Sequence, residues 1–197
     1  MELGVTGYRS QIVQEISEYD GIKVQRLSPR IDLTRIDRYL LCAGVLHSSH
    51  IVDQSYEDQH MSLEVNLLDP VNLCEKIFAL NSRARICVIG SESGFSWSYD
   101  GVYAASKAAL HRYVETRPLQ PDQQLVCIAP GIIGDAGMTT RRKDKDRLAE
   151  REKAHPKGRF LMAHEVAAMA HHLLFVDDGY TSGVVIRMNG GEHTCRR

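Results

Sequence analysis

Six short apolar runs recur along the chain, and each is closed by glycine, serine or proline. Residues 3–6 run into Gly7, residues 22–27 into Ser28-Pro29, and residues 39–42 into Ala43-Gly44. Residues 86–89 stop at Gly90-Ser91, residues 124–129 at Pro130-Gly131, and residues 184–188 at Asn189-Gly190-Gly191. Apolar runs of this length, bounded by turn residues, predict buried strands. Between them the apolar spacing changes to three and four. Ile12, Val13 and Ile16 predict a helix over residues 11–18, capped by Ser10. Val65, Leu68, Leu73, Ile77 and Leu80 predict one over residues 63–80, and an Ala-rich run beyond Val102 predicts another. Val166, Met169, Leu173 and Leu174 predict a last helix over residues 164–175. The order strand-helix-strand, gap, strand-helix-strand-helix-strand-helix-strand predicts an α/β fold: an open, mostly parallel sheet with helices on both faces.

Three stretches break this alternation. Residues 31–34 follow the second strand too closely for a crossover helix, and parallel neighbours need a connection of about a dozen residues or more. They form either an antiparallel edge or an irregular crossing segment. Residues 45–61 are polar and His-rich without periodicity, which predicts a loop and a short helix over the sheet edge. Residues 139–158 are dense in Arg, Lys, Asp and Glu and read as a solvated, mobile helix. Arg141 and Arg142 leave open a second role there, anion binding.

Composition narrows the function classes. A chain of 197 residues suits one domain with a full core and is short for two. A formal charge of −1 offers no field for nucleic acid. No apolar run approaches a membrane span, and residues 1–5 lack the regions of a secretory signal, so a cytoplasmic location is expected. Cys42, Cys74, Cys87, Cys127 and Cys195 form no C-x-x-C pair and read as thiols, neither a disulfide frame nor a zinc site. No metal site is expected.

The chemistry concentrates between Ile86 and Leu110. Ser91 stands at the end of a predicted strand, followed by an aromatic loop through Phe95, Trp97 and Tyr99, which implies an apolar wall. Tyr103 and Lys107 then stand at i and i+4, on the same face of a helix. A phenol titrates near ~10 in water, and an ammonium beside it favours the phenolate and brings it toward working range. Such a pair also arises by chance on solvated helix faces. Asn66 lies inside the helix over residues 63–80, where its amide competes for backbone partners. It is either an exposed residue or a deliberate irregularity.

A Tyr-x-x-x-Lys helix behind a strand ending in Ser resembles the short-chain dehydrogenase/reductase family, and the resemblance extends over residues 3–191. It implies a Rossmann-like, doubly wound sheet, reduced here on the adenine side, with residues 134–160 in the position of the family's lid. It implies hydride transfer between NAD(P)(H) and a small-molecule carbonyl/alcohol pair. Ser91 would hold the reacting oxygen, Tyr103 pass the proton, Lys107 lower the Tyr103 pKa and grip the nicotinamide ribose, and Asn66 order a relay water. Gly7, Arg9, Ser10, Gln11 and Ile12 occupy the phosphate turn, with Gln11 and Val13 replacing family glycines. Ala43-Gly44 follow Leu41-Cys42, which stand in place of two Asn residues, and Asp32-Leu33-Thr34 resembles the element that meets the adenine. Pro130, Gly131 and Ile133 would lie beside the nicotinamide, and the Thr of that turn is displaced to Thr139-Thr140. NADP(H) is expected over NAD(H), because Ser28 and Arg30 follow the second strand with no carboxylate before Asp32, and Arg9 is a further phosphate partner. Arg30 otherwise reads as a solvated turn residue. The family packs the helices at 63–80 and after Val102 between subunits, which implies a homodimer or homotetramer. The altered glycine turn supports an alternative, a non-catalytic dinucleotide-binding or scaffold protein.

Overall fold

The computed structural model describes residues 1–47, 49–96, 98–142 and 144–192; Trp97 and Cys195, singled out above, lie outside the described residues. The strands are β1 (Glu2–Thr6), β2 (Lys23–Arg26), β3 (Arg38–Leu41), β4 (Arg85–Ile89), β5 (Gln124–Pro130) and β6 (Val184–Met188). They build one sheet in the order β2-β1-β3-β4-β5-β6, and every neighbouring pair is parallel. The helices are α1 (Gln11–Ser17), α2 (Tyr56–Leu63), α3 (Asp69–Leu80), α4 (Gly101–Thr116), α5 (Gly137–Thr140), α6 (Lys145–Ala154) and α7 (Ala163–His171).

Strand pleating divides the apolar side chains between two cores. Cys87, Ile89, Val126 and Ile128 pack with Ile12 and Ile16 of α1 and with Val166 and Ala170 of α7. Ile86, Val88, Leu125 and Cys127 pack on the other face with Ile77 and Phe78 of α3 and with Leu110 and Val114 of α4. Covering both faces explains why the runs at residues 86–89 and 124–129 are unbroken. Ser10 caps α1 as expected: its Oγ accepts from the Val13 N–H at 3.2 Å.

The gap after β2 is the irregular crossing segment. Residues Leu33–Arg35 form a short 3-10 turn, with Asp32 Oδ1 accepting from the Thr34 N–H at 3.0 Å. Leu33 and Ile36 are buried, and the Tyr39 hydroxyl donates to the Leu33 carbonyl at 2.6 Å. The short helix expected within residues 45–61 is α2, and it continues without a break into the helix expected over residues 63–80. It begins at Tyr56, and α2 passes through a π-turn at Glu64–Leu68 into α3. Asn66 sits in that π-turn and is fully buried, so it is the irregularity and not an exposed residue. Leu63, Leu68 and Leu80 are exposed on this helical run, although Leu68 and Leu80 belong to the apolar spacing that predicts it. The charged segment folds into α5 and α6, anchored by buried Leu148.

Candidate active site

Strand order reverses between β1 and β3, and there the carboxyl ends of the strands open into a cleft of about 1860 Å³. Gly7 closes β1 with φ +63°, and a Cβ on it would stand 2.6 Å from the Cys42 carbonyl carbon. Glycine therefore lets the first turn lie directly on the end of β3. Thr6 Oγ1 stitches the two together by accepting from the Cys42 and Ala43 N–H groups at 3.1 and 3.2 Å. Cys42 lies 3.2 Å from the Ser10 hydroxyl, and burial pushes its thiol above the usual range.

Ser91, Tyr103 and Lys107 converge on this cleft, and all three are buried. The Ser91 Oγ accepts from the Ser93 N–H at 3.2 Å, and its hydroxyl is a near neighbour of the Tyr103 phenol. Lys107 Nζ lies 5.8 Å from the centre of the Tyr103 ring and donates to the Ile89 carbonyl at 2.9 Å. Burial pushes the Tyr103 phenol above its ordinary value, opposed by the neighbouring Ser91 hydroxyl. The Lys107 amine is pushed down to about 8, again by burial. The expected lowering of Tyr103 by Lys107 is thus not what prevails. Desolvation of a phenolate outweighs its neighbours, and the opposing influence comes from Ser91.

Asn66 holds the adjoining loop through both ends of its amide. Its Oδ1 accepts from the Val45 N–H at 3.0 Å, and its Nδ2 donates to the Val45 carbonyl at 2.8 Å. A Cβ on Gly44 would stand 3.2 Å from Asn66 Oδ1 and 3.9 Å from Lys107 Nζ, so Gly44 lies against both. Asp100, not singled out from sequence, ties the same loop to α4. Its carboxylate accepts from the Tyr103 N–H at 3.0 Å as helix cap and from the His47 N–H at 2.9 Å. An Asp immediately before a predicted helix is a legible cap signal; its second bond to residue 47 is not.

Most of the residues expected to meet a dinucleotide are present at the cleft. Gly7, Arg9, Ser10, Gln11 and Ile12 line it below the first turn, as do Ala43, Gly44, Pro130, Gly131 and Ile133. Ser28, Arg30 and Asp32 do not. They are exposed, and Asp32 is engaged in capping its own turn. β2 ends at Arg26, whose side of the strand lines the cleft, and the chain has turned away by Ser28. The lining fits a dinucleotide cofactor. Gln11, the residue in place of a glycine, turns its amide along α1 to Glu15 Oε1 at 3.0 Å and away from the turn. Arg9 and Arg26 offer cations near the β1 and β2 ends. Of the aromatic wall, Tyr99 lines the cleft, whereas Phe95 stacks on His111 with ring centres 4.7 Å apart. Among the described residues no cluster suited to a metal ion occurs, and no helix is long and apolar enough to cross a membrane.

A parallel α/β sheet with its cleft at the strand-order reversal, and Ser, Tyr and Lys around it, defines a Rossmann-like α/β protein. Residues 24–193 match the family model described as enoyl-(acyl carrier protein) reductase, and the chain belongs to the short-chain dehydrogenase/reductase family, a family of oxidoreductases. It is 27% identical over 184 residues to 3-oxoacyl-[acyl-carrier-protein] reductase FabG of Chlamydia trachomatis, covering 90% of this chain and 73% of that protein. The namesake enzyme of Thermotoga maritima is 26% identical over 197 residues, covering 95% and 78%. In fold the chain is similar to levodione reductase, with a TM-score of 0.85 at 16% identity, covering 99% and 98% of the two chains. A short-chain dehydrogenase/reductase family oxidoreductase from Burkholderia thailandensis gives 0.83 at 18% identity, covering 100% and 94%.

Proposed function

We propose that the protein is an NADP(H)-dependent reductase of a small carbonyl compound. The observation that carries this reading is the convergence of the Ser91 and Tyr103 side chains with buried Lys107 on one cleft. A bound nicotinamide cofactor supplies the hydride and the chain supplies placement and proton traffic. The Ser91 hydroxyl holds the substrate oxygen. The Tyr103 phenol, kept protonated at neutral pH by its burial, gives its proton to that oxygen as charge develops on it. Lys107 would help hold the cofactor's ribose and adds positive charge to the cleft below about pH 8. Asn66 fixes the Val45 loop on which substrate and cofactor meet.

Arg9 and Arg26, not Arg30, are the cations we assign to an adenosine 2′-phosphate, because both line the cleft. The relatives are named for 3-oxoacyl carriers, so a 3-oxoacyl thioester is the first substrate to test. The exposed Tyr56, Leu63, Leu68 and Leu80 along α2 and α3 support a homodimer or homotetramer. The test is a fluorescence titration with NADPH and NADH, followed by turnover of acetoacetyl-coenzyme A. Tighter binding of NADPH and its oxidation by the thioester are expected. Binding of neither nucleotide would overturn the reading in favour of a non-catalytic scaffold.

A further inference from the structure

His111 lies two turns beyond Tyr103 on the same face of α4, and only 3% of it is exposed. It does not line the cleft, yet it touches the strand end that carries Ser91. The Ser91 N–H donates to His111 Nε2 at 3.3 Å. That bond requires Nε2 to be bare, so the ring proton sits on Nδ1. Nδ1 is buried and has no hydrogen-bond partner. A buried donor without a partner is destabilising, and it calls for an explanation.

The surroundings are shaped around this ring. A Cβ on Gly94 would stand 2.7 Å from Nδ1, and one on Gly90 would strike the Nε2 side, so glycine on both sides of Ser91 admits the imidazole. Phe95 stacks on one face of the ring, and the Arg187 guanidinium lies 4.6 Å over Phe95 while it pairs with buried Glu92. The titratable neighbours are Lys107 on α4, Glu92 after β4 and Arg187 on β6. Burial first, then the positive charges of Lys107 and Arg187, hold the imidazole neutral, with its pKa down at about 4. Neutrality is the state in which Nε2 accepts.

We infer that His111 is a positioning residue: its Nε2 fixes the Ser91 backbone and thereby aims the Ser91 hydroxyl at Tyr103. The inference rests on the reading of Ser91 and Tyr103 given above. It explains the unpartnered Nδ1, because a leucine would remove that stray donor but also the acceptor that Ser91 uses. His111→Leu therefore exchanges one buried unpaired N–H for another. His111→Gln restores an acceptor where Nε2 stood.

The first readout needs no turnover. The Tyr103 ¹³Cζ resonance, in protein labelled at tyrosine, reports the hydrogen bond made by the phenol. His111→Leu should move it toward its position in Ser91→Ala, and His111→Gln should return it toward wild type. Thermal unfolding should stay close to wild type in the Leu variant. A resonance that Leu leaves unmoved while Ser91→Ala shifts it overturns the inference, as does one that Ser91→Ala itself fails to shift. The second readout is kcat with acetoacetyl-coenzyme A and NADPH. His111→Leu should lower it by about ten- to a hundredfold with little change in the KM for NADPH, since a misplacement of about 1 Å costs that much. The loss should vanish in a Ser91→Ala background, where additive losses would contradict the inference. If wild type turns over no thioester, the functional reading of that substrate fails, and the resonance alone decides the role of His111.

Discussion

Replacing Asn66 with Ala removes the one side chain that holds both backbone groups of Val45. The structure sets the size of the effect. Two bonds, at 3.0 and 2.8 Å, disappear together, along with a long contact of 3.4 Å to the Ser62 hydroxyl. Leaving a buried polar group unpaired costs about 1–3 kcal/mol. Val45 is half-buried, so water recovers part of this, and a total loss of about 2–4 kcal/mol follows for the pair. For a chain of this size, each kcal/mol lowers Tm by roughly 2–4 °C, so a fall of roughly 4–16 °C is expected. Calorimetry measures the shift, and hydrogen exchange localises it: the Val45 amide should lose protection while amides in β4 and β5 keep theirs. Cofactor affinity should fall in parallel, because Gly44 lies against Asn66 and Lys107. A Tm within about 2 °C of wild type, with Val45 still protected, would refute the assignment of Asn66 as the anchor of this loop.

The remaining predictions concern charge and assembly. Lys107 has its pKa lowered to about 8 against ~10.4 in an unfolded chain, so the unfolded state binds more protons between these values and stability should rise with pH there. Denaturant titrations at pH 8 and 10 should show this rise in wild type and lose it in Lys107→Met. Arg26→Ala should reduce the preference for NADPH over NADH by about tenfold, whereas Arg30→Ala should leave it unaltered; nucleotide titrations separate the two. Light scattering at micromolar concentration should show a dimer or tetramer, and Leu68→Glu with Leu63→Glu on the exposed helical face should shift it toward monomer.

The fold was legible because strands buried on both faces write themselves as apolar runs, and turn residues mark where each one stops. Ser91, Tyr103 and Lys107 were legible because helical spacing alone places the last two on one face. The start of the helical run at Tyr56 was not, since the α2 residues are polar and mostly solvated and carry no apolar period. Leu68 and Leu80 belong to the predicted apolar spacing yet are exposed, because spacing reports a face, and not what covers it. Arg30 was read as a phosphate partner because it follows the second strand with no carboxylate before Asp32, whereas it is Arg26 that lines the cleft. The Tyr103 pKa went the other way from the expectation because a sequence shows a neighbouring charge and hides the desolvation that outweighs it. His111 left no local signal at all, since its partner lies across the fold at Ser91.

The measurement closest to the central claim is the steady-state oxidation of NADPH by acetoacetyl-coenzyme A in wild type and Tyr103→Phe, with NADPH affinity measured alongside. The phenol is buried beside Ser91, and its burial pushes its pKa up, so it is protonated at neutral pH. Loss of its hydroxyl should lower kcat by roughly a hundred- to ten-thousand-fold while Kd for NADPH and Tm stay near wild type. A Tyr103→Phe variant that turns over at the wild-type rate would contradict the account.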